Sequence, residues 1–294
     1  MSPTGRGRVT FGFALLILIW GTTWAAIRIG LQGMPPFTGV AVRFTIAGAL
    51  LLALACAAGV RLGRVRHEKA LWVVNGVLTF SLSYSIVYWS EQYIPSGLAA
   101  VLFATYPLFV ALVAHLLLAD ERLTARAGVG LVLGFAGVAV IFSDDLALLG
   151  GEQVRHAAIV MLGSPLVCAL ATVAIKRWGK GVHPLSHSAV PMLFTGGVMG
   201  AVALVFERGR PLVLDGRSVG ALLYLAVLGS AVTFTVYYWL LARVTATGLA
   251  LTSYLIPIVA LAVGAVLFDE ALRPRLLAGS ALIVAGVVIV NRQR

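Results

Sequence analysis

One apolar stretch of the chain carries polar side chains at helical spacing. Ser81, Tyr84, Tyr88 and Glu91 follow one another at intervals of three or four residues, so a helix places all four on one face. Hydroxyl groups on such a face can hydrogen-bond the polar part of a small molecule, while the rings pack against its apolar part. Polar residues at this spacing also pack neighbouring helices together. The stripe therefore predicts either a ligand-binding face or a helix interface.

Two further stretches show a similar pattern. Trp20 and Trp24 lie four residues apart on one helix face, and Ser230, Thr233 and Tyr237 begin a stripe like the first one. The candidate substrate-binding residues of the whole chain are aromatic or hydroxyl-bearing: Trp20, Thr23, Trp24, Ser81, Tyr84, Tyr88, Tyr106, Thr172, Ser230, Thr233, Tyr237 and Ser253.

Ionisable residues are rare inside the apolar stretches, where a charge is costly and indicates function. Arg43 and Glu91 fall toward the same end of the second and third stretches. They are expected to form either a gate or a structural ion pair. His115 either relays protons or bonds a neighbouring group.

Two prolines interrupt apolar stretches at matching places in the two halves of the chain. Pro107 and Pro257 each lack an amide proton and free the carbonyl four residues back, those of Phe103 and Ser253. Such a carbonyl can coordinate a ligand or permit a hinge. The alternative is a passive kink satisfied by a neighbouring hydroxyl.

Enzyme motifs are weak. His115 and Asp120 have the His-x4-Asp spacing of membrane acyltransferases, but residues five apart lie about 140° apart around a helix. The sequence has no Gly-x-Ser-x-Gly elbow and no His-Glu-x-x-His zinc motif. Cys56 and Cys168 lie in apolar runs and suggest no metal site. We predict no catalytic residue, no metal and no cofactor.

The amino-acid composition indicates whether water or lipid surrounds these residues. Of 294 residues, 60% are hydrophobic and 11% are charged, against about 45–50% and about 25% in soluble domains. The net charge of +11 comes from basic clusters between apolar runs, a distribution that argues against nucleic acid as a partner. The chain is therefore expected to be an integral membrane protein with the lipid bilayer around it.

Spans follow from the length of helix that a bilayer requires, about 20 mainly apolar residues. Most Lys and Arg residues of the connections lie on the side of the N-terminus, which predicts a multi-pass protein of the inner or plasma membrane with both termini cytoplasmic. The predicted spans are residues 9–31, 37–59, 70–90, 95–119, 126–143, 154–175, 185–206, 217–240, 247–268 and 275–291.

The two halves of the chain resemble each other. Five spans in each half predict two repeats, residues 1–147 and 148–294, in opposite orientations, because five is an odd number. Inverted repeats are typical of secondary transporters. The fold class is thus all-α integral membrane, with ten transmembrane helices as two inverted five-helix repeats. The matching segments include Tyr88-Trp89 with Tyr238-Trp239, Asp120-Glu121 with Asp269-Glu270, Gly48 with Gly196, Gly130 with Gly279, and Gly137 with Gly286.

Other segments point to a family. Trp20 to Trp24 (WGTTW), Arg43-Phe44 and Pro95 to Ala100 (PSGLAA), with the repeated Asp-Glu turn, resemble the EamA-type transporters of the drug/metabolite transporter superfamily. The resemblance covers nearly the whole chain and implies a ten-helix carrier that moves amino acids, other small metabolites or drugs, mostly outward. Pro191 stands where the second half would match Arg43, so any role of that arginine is confined to one half.

These observations together predict a secondary transporter, an exporter of small metabolites that works by alternating access. The first, third, fourth, sixth, eighth and ninth spans are expected to surround the path. No Asp or Glu lies near the centre of a span, which favours a facilitator or exchanger driven by the substrate gradient. The alternatives are a channel-like facilitator and an intramembrane acyltransferase. Glycines of the fifth and tenth spans permit close packing within each repeat or between two copies, so the chain is a monomer or a homodimer.

Overall fold

The computed structural model describes residues 3–141, 143, 151–256, 258 and 274–291, and these residues form helices without any strand. Apolar side chains such as Leu116, Val129 and Leu204 are more than half exposed on the outside of the bundle. Lipid, rather than water, suits such a surface. The helical elements are α1 (Pro3–Gly33), α2 (Pro36–Ala57), α3 (Glu68–Ser90), α4 (Ser96–Phe103 and Tyr106–Leu117), α5 (Ala125–Ile141), α6 (Glu152–Trp178), α7 (Pro184–Phe206), α8 (Gly216–Leu241), α9 (Ala246–Ile256) and α10 (Pro274–Asn291).

Seven of the predicted spans are confirmed as helices long and apolar enough to cross a membrane. They are α1 to α4 and α6 to α8. The helices α5, α9 and α10 are apolar but shorter within the described residues. Most of residues 257–268, the second part of the ninth predicted span, lies outside the described part of the chain. Seven crossings are thus supported by length and hydropathy, and ten remains a prediction.

Corresponding helices of the two halves pack against each other. A Cβ atom on Gly130 would lie 2.8 Å from the carbonyl oxygen of Gly286, and one on Gly137 would lie 2.6 Å from that of Gly279. Only glycine permits backbones to approach so closely. The early glycine of α5 meets the late glycine of α10, so the two helices are antiparallel. The expectation that these glycines pack within a repeat is wrong, because they join α5 to α10.

The second such pair is α2 with α7. A Cβ atom on Gly48 would lie 2.7 Å from the backbone nitrogen of Leu193, and Gly196 lies directly against Thr45. The repeated glycines Gly48 and Gly196 therefore explain the close contact of α2 and α7. The residue order at the contact again makes the helices antiparallel.

Two carboxylates each cap a helix that belongs to the other half of the chain. Glu207, after α7, accepts the backbone N–H groups of Phe37 and Thr38 at 2.8 Å, at the start of α2. Glu121, after α4, accepts the N–H groups of the first two residues of α9 and contacts the hydroxyl of Thr247. The first amides of a helix lack partners within the helix, and a negative charge there also suits the helix dipole. The Asp-Glu turn at Glu121 is therefore a structural device.

Several helices are irregular at mid-length. The segments Asn75–Ser83 of α3 and Val227–Val232 of α8 are π-helical. In α4 the chain turns after Phe103, and Pro107 is the second residue of the segment that follows, as the loss of its amide requires. The interruption predicted at Pro107 is confirmed, whereas Pro257 lies outside the described residues. Whether either proline acts as a hinge stays a prediction.

Candidate functional site

The irregular helices enclose a cavity of about 90 Å³ in the middle of the bundle. Its walls come from the six predicted helices α1, α3, α4, α6, α8 and α9, with one residue, Arg43, from α2. Eight of the twelve candidate binding residues line it: Trp20, Thr23, Trp24, Tyr84, Tyr106, Thr172, Tyr237 and Ser253.

The other four candidates do not line this cavity. Ser81 is hydrogen-bonded to Thr195 of α7 at 3.1 Å. Tyr88 and Ser230 hold the guanidinium of Arg43, and Thr233 is fully buried. Ser81 and Ser230 lie in the π-helical segments, whose wider turns break the three-and-four spacing used for the prediction. Each stripe therefore contributes some residues to the cavity wall and others to contacts within the bundle.

Three hydroxyl groups form a closed triangle in the cavity wall. The oxygen of Tyr106 lies 2.8 Å from that of Thr172 and 2.7 Å from that of Tyr237, and the latter two are 3.0 Å apart. A hydroxyl donates one hydrogen bond and accepts two. A cyclic arrangement uses all three protons within the triangle and leaves lone pairs unused. The triangle can therefore accept a hydrogen bond from a donor in the cavity.

Aromatic rings form most of the remaining wall. The ring of Trp20 lies 5.6 Å from those of Phe234 and Tyr237, and the ring of Trp24 lies 5.6 Å from that of Phe103. Within the described residues, Nε1 of Trp20 is buried without a hydrogen-bond partner. Aromatic faces attract cations as well as apolar groups. The cavity thus suits a small amphipathic molecule with a cationic group.

Among the described residues that line the cavity, Arg43 is the charged one, with 1% of its surface exposed. Its Nε donates to Ser230 Oγ at 2.8 Å, Nη1 donates to the Tyr88 hydroxyl at 3.1 Å, and Nη2 donates to the Gly229 carbonyl at 3.2 Å. The guanidinium also lies 4.8 Å from the centre of the Tyr84 ring. All of these partners are neutral, so the positive charge is solvated but not neutralised by them.

The predicted ion pair between Arg43 and Glu91 does not form. The guanidinium turns toward Tyr88 and α8, where hydroxyl and carbonyl oxygens accept its protons. Glu91 is 4% exposed, and neither carboxylate oxygen has a hydrogen-bond partner among the described residues. A gating role for either residue stays a prediction.

His115 has a local role. Its Nδ1 accepts the backbone N–H of Leu123 at 3.1 Å, and the side chain is exposed near the end of α4. The bond holds the chain where α4 ends and the turn toward α5 begins. This contact accounts for the histidine without a proton relay or a pairing with Asp120.

A polar network that the sequence does not single out lies where α3 begins. Asn75 Nδ2 donates to the His187 carbonyl at 2.6 Å, and its Oδ1 accepts the hydroxyl of Tyr238 at 2.9 Å. Trp72 Nε1 donates to Ser186 Oγ at 2.8 Å. The network ties α3, α7 and α8 together beside the cavity, which Tyr238 also lines. The available sequence signals are an asparagine inside an apolar run, Asn75, and a tyrosine that recurs in both halves, Tyr238. Neither signal indicates the partner of the residue.

Other cavity residues are also absent from the predicted set. Phe103, Phe234 and Cys168 line the cavity but are ordinary apolar residues in the sequence. Their positions follow from the packing of α4, α6 and α8. Helical spacing alone does not separate a cavity aromatic from a core aromatic.

Comparison with known proteins places these features in context. The chain matches the model of the EamA-like transporter family twice, over residues 9–143 and 155–292. It is 31% identical to an uncharacterized inner membrane transporter, YedA, of Escherichia coli strain K12, over 95% of this chain and 89% of that one. It is 27% identical to an uncharacterized transporter, YvbV, of Bacillus subtilis, over 99% and 94% of the two chains.

One relative carries a name with a substrate. It is a probable terminal-alkyne amino-acid exporter of Streptantibioticus cattleyicolor, 28% identical over 97% of this chain and 94% of the relative. A solved crystal structure superposes with a TM-score of 0.80 at 22% identity and covers 97% of each chain. That likeness shows the fold.

Proposed function

Because the chain belongs to the EamA-like transporter family, we propose that it is a secondary transporter of small metabolites that carry both an amine and a carboxylate, such as amino acids with apolar side chains. Multi-pass membrane transport is the general function of its relatives. The observation that carries the finer proposal is the cavity, which combines a hydroxyl triangle, aromatic walls and the unneutralised charge of Arg43.

The cavity is chemically complementary to a zwitterion. The ammonium group would donate to the triangle of Tyr106, Thr172 and Tyr237 and lie near aromatic faces. The carboxylate would face Arg43, whose guanidinium has more N–H donors than its three present contacts use. The apolar side chain would lie among the rings of Trp20 and Trp24. The name of the relative from S. cattleyicolor supports this class of substrate.

Alternating access between two inverted repeats, residues 1–147 and 148–294, is the mechanism that we propose. The family model matches once in each half, and the corresponding helices α2 with α7 and α5 with α10 are antiparallel at their contacts. A carrier of this kind rocks one part against another around a fixed site. A turn at Leu251 interrupts α9, as the turn after Phe103 interrupts α4. These two breaks beside the cavity would absorb the motion.

Export from the cytoplasm is the proposed direction. The charge distribution of the connections supports cytoplasmic termini, and the relative from S. cattleyicolor is named as an exporter. The inner or plasma membrane is the proposed location, which agrees with the name of the relative from E. coli.

Binding of three related probes to the purified protein in lipid nanodiscs tests the substrate class. L-phenylalanine has both charged groups, phenethylamine lacks the carboxylate, and 3-phenylpropionate lacks the amine. We expect L-phenylalanine to bind most tightly and each truncated probe to bind roughly tenfold more weakly. Each truncated probe leaves either the hydroxyl triangle or Arg43 without a partner in the ligand. Equal binding of all three probes, or none by L-phenylalanine, would refute the proposed substrate class.

Variants locate the binding in the cavity. Tyr237→Phe removes one hydroxyl of the triangle and should weaken the two amine-containing probes without affecting 3-phenylpropionate. Tyr224→Phe is the matched control, since Tyr224 lies on the same helix and bonds Thr22 away from the cavity. An equal loss in both variants would place the amine elsewhere.

A further inference from the structure

Glu91 differs from the other buried carboxylates of the described chain. Glu68 accepts hydrogen bonds from Ser186 and the backbone of Val65, and Glu207 accepts three bonds at the start of α2. Glu91 is buried as deeply as these residues, yet neither of its oxygens has a partner among the described residues. The hydrogen bonds of Glu68 and Glu207 therefore explain why these carboxylates are buried. No such contact explains the burial of Glu91.

Burial without donors opposes the charged form of Glu91. An ionised carboxylate removed from water needs hydrogen bonds or a counter-charge, whereas the neutral acid loses much less. At the end of α3 the adjacent Ser90 is occupied, since its hydroxyl donates to the Ala157 carbonyl of α6 at 3.3 Å. His156 of α6 faces the ring of Trp89 rather than Glu91. Local hydrogen bonding thus favours the protonated side chain.

Two cations act in the opposite direction. Arg28 of α1 and Arg43 of α2 are the positive groups whose charge reaches Glu91, and Tyr88 lies one turn before it on its own helix. The hydroxyl of Tyr88 accepts from Arg43, so the two ionisable residues flank one tyrosine. Glu91 is therefore held between an environment that favours the neutral acid and cations that favour the carboxylate.

We propose that Glu91 is a proton-binding site whose occupancy is linked to that of the substrate. The inference rests on the proposed function, in which a substrate carboxylate faces Arg43. That carboxylate would offset the charge of Arg43, and Glu91 would then take a proton from water on one of its oxygens to become the neutral acid. When the substrate leaves, the proton returns to water and the carboxylate regains the field of Arg43.

The linkage has a definite sign. Because two sites that affect each other do so reciprocally, a substrate carboxylate favours proton uptake, and low pH favours the substrate. Proton and substrate then move in the same direction, so a substrate leaving the cell down its own gradient carries the proton with it. This coupling needs no carboxylate at the centre of a span.

Proton uptake on ligand addition tests the proposal. The purified protein in nanodiscs is mixed with L-phenylalanine in weakly buffered solution that contains a pH-indicating dye. We expect uptake by the unaltered protein with L-phenylalanine and none with phenethylamine, which has no carboxylate. Glu91→Gln should bind L-phenylalanine without taking up a proton. Glu152→Gln removes an exposed carboxylate from the start of the neighbouring α6 and should leave the uptake unchanged.

Two results would overturn the linkage: binding of L-phenylalanine by the unaltered protein without proton uptake, and uptake that persists in Glu91→Gln. An infrared pH titration without ligand separates this proposal from the proposed function. A carboxylic acid band that disappears as pH rises, and that is missing in Glu91→Gln, supports the proton site even if L-phenylalanine does not bind. The same titration without such a band overturns the site even if L-phenylalanine is transported.

Discussion

The contact between α5 and α10 and the central cavity follow opposite rules. At the contact, the glycines repeat between the halves, and the two helices meet backbone to backbone through Gly130, Gly137, Gly279 and Gly286. In the cavity, Arg43 has no counterpart, since Pro191 occupies the matching place in α7. The duplicated residues thus build the scaffold, and a residue found in one half supplies the charge on which the proposed binding depends.

Residues that recur can also take different roles. Tyr88 holds Arg43, whereas its repeat counterpart Tyr238 lines the cavity and donates to Asn75. The same side chain therefore contacts a cation in one half and an amide in the other. A duplicated position predicts a similar place in the bundle but not a similar chemical function. The predictions that follow test this division between scaffold and site.

The largest effect is expected at the glycine contact. Gly137→Leu would place a side chain against the backbone of Gly279, where a Cβ alone would lie 2.6 Å from the carbonyl oxygen. Overpacking usually costs about 1–3 kcal/mol or more, so we expect a lower unfolding temperature and a low yield of folded protein. Thermal unfolding in detergent measures the change in unfolding temperature. Gly128→Leu on the same helix is the control, since nothing lies within 4 Å of its Cβ.

Helix propensity favours leucine over glycine, so it cannot cause a loss. An unfolding temperature that falls equally in both glycine variants would mean that a leucine anywhere on α5 destabilises the protein, and that the α5–α10 contact is not the cause. Unchanged stability of Gly137→Leu would contradict the close contact itself.

The substitution Arg43→Gln is expected to have the next largest effect, and this effect is on binding. It removes the cation but retains a donor for Tyr88 or Ser230. L-phenylalanine should lose roughly tenfold or more in affinity, because bonds to charged groups contribute about 1.5–3 kcal/mol, whereas phenethylamine should bind as before. Equal losses for both probes would indicate that Arg43 stabilises the fold and does not recognise a carboxylate.

Trp24→Ala is expected to weaken the binding of both probes by a smaller and similar factor. In the proposed site the indole, which packs against Phe103, would also contact the apolar part that the two probes share. Equilibrium binding in nanodiscs gives the two dissociation constants. Trp178→Ala is a suitable control, since Trp178 is 48% exposed at the end of α6. A loss of affinity confined to L-phenylalanine would indicate that Trp24 lies next to the carboxylate of the bound molecule.

The smallest effect is expected from a helix cap. Glu121→Gln removes the negative charge at the start of α9 but retains an oxygen that can accept an N–H bond. Charge at a helix end is typically worth about 0.3–1 kcal/mol, so the unfolding temperature should fall by a few degrees while the binding constants stay the same. A large loss of binding in Glu121→Gln would indicate that this helix cap also contributes to the binding site.

The sequence predicts the scaffold better than the contacts within the site. Apolar length locates the seven long helices, and the proline at position 107 locates the break in α4. Eight of the twelve residues chosen for their hydroxyl or aromatic side chains line the cavity. Spacing fails at Ser81 and Ser230, because both lie within π-helical segments, where residues three or four apart no longer share a face. Nothing in the local sequence signals those segments.

Long-range partners are the other part that the sequence does not reveal. Arg43 and Glu91 approach the same end of neighbouring helices, yet the guanidinium finds neutral oxygens on α3 and α8 instead. Glu121 and Glu207 lie in short turns, and only the assembled bundle brings them to helix starts in the other half. Such pairings depend on how the halves dock, which residue type and spacing do not specify.

Counterflow in proteoliposomes tests the central claim, transport by a carrier through this cavity, most directly. Vesicles preloaded with unlabelled L-phenylalanine receive a trace of labelled L-phenylalanine outside. A carrier predicts transient accumulation of label that saturates with external concentration and is lost in Arg43→Gln. Label that only equilibrates, with flux that rises linearly with concentration, would contradict a carrier and favour a channel.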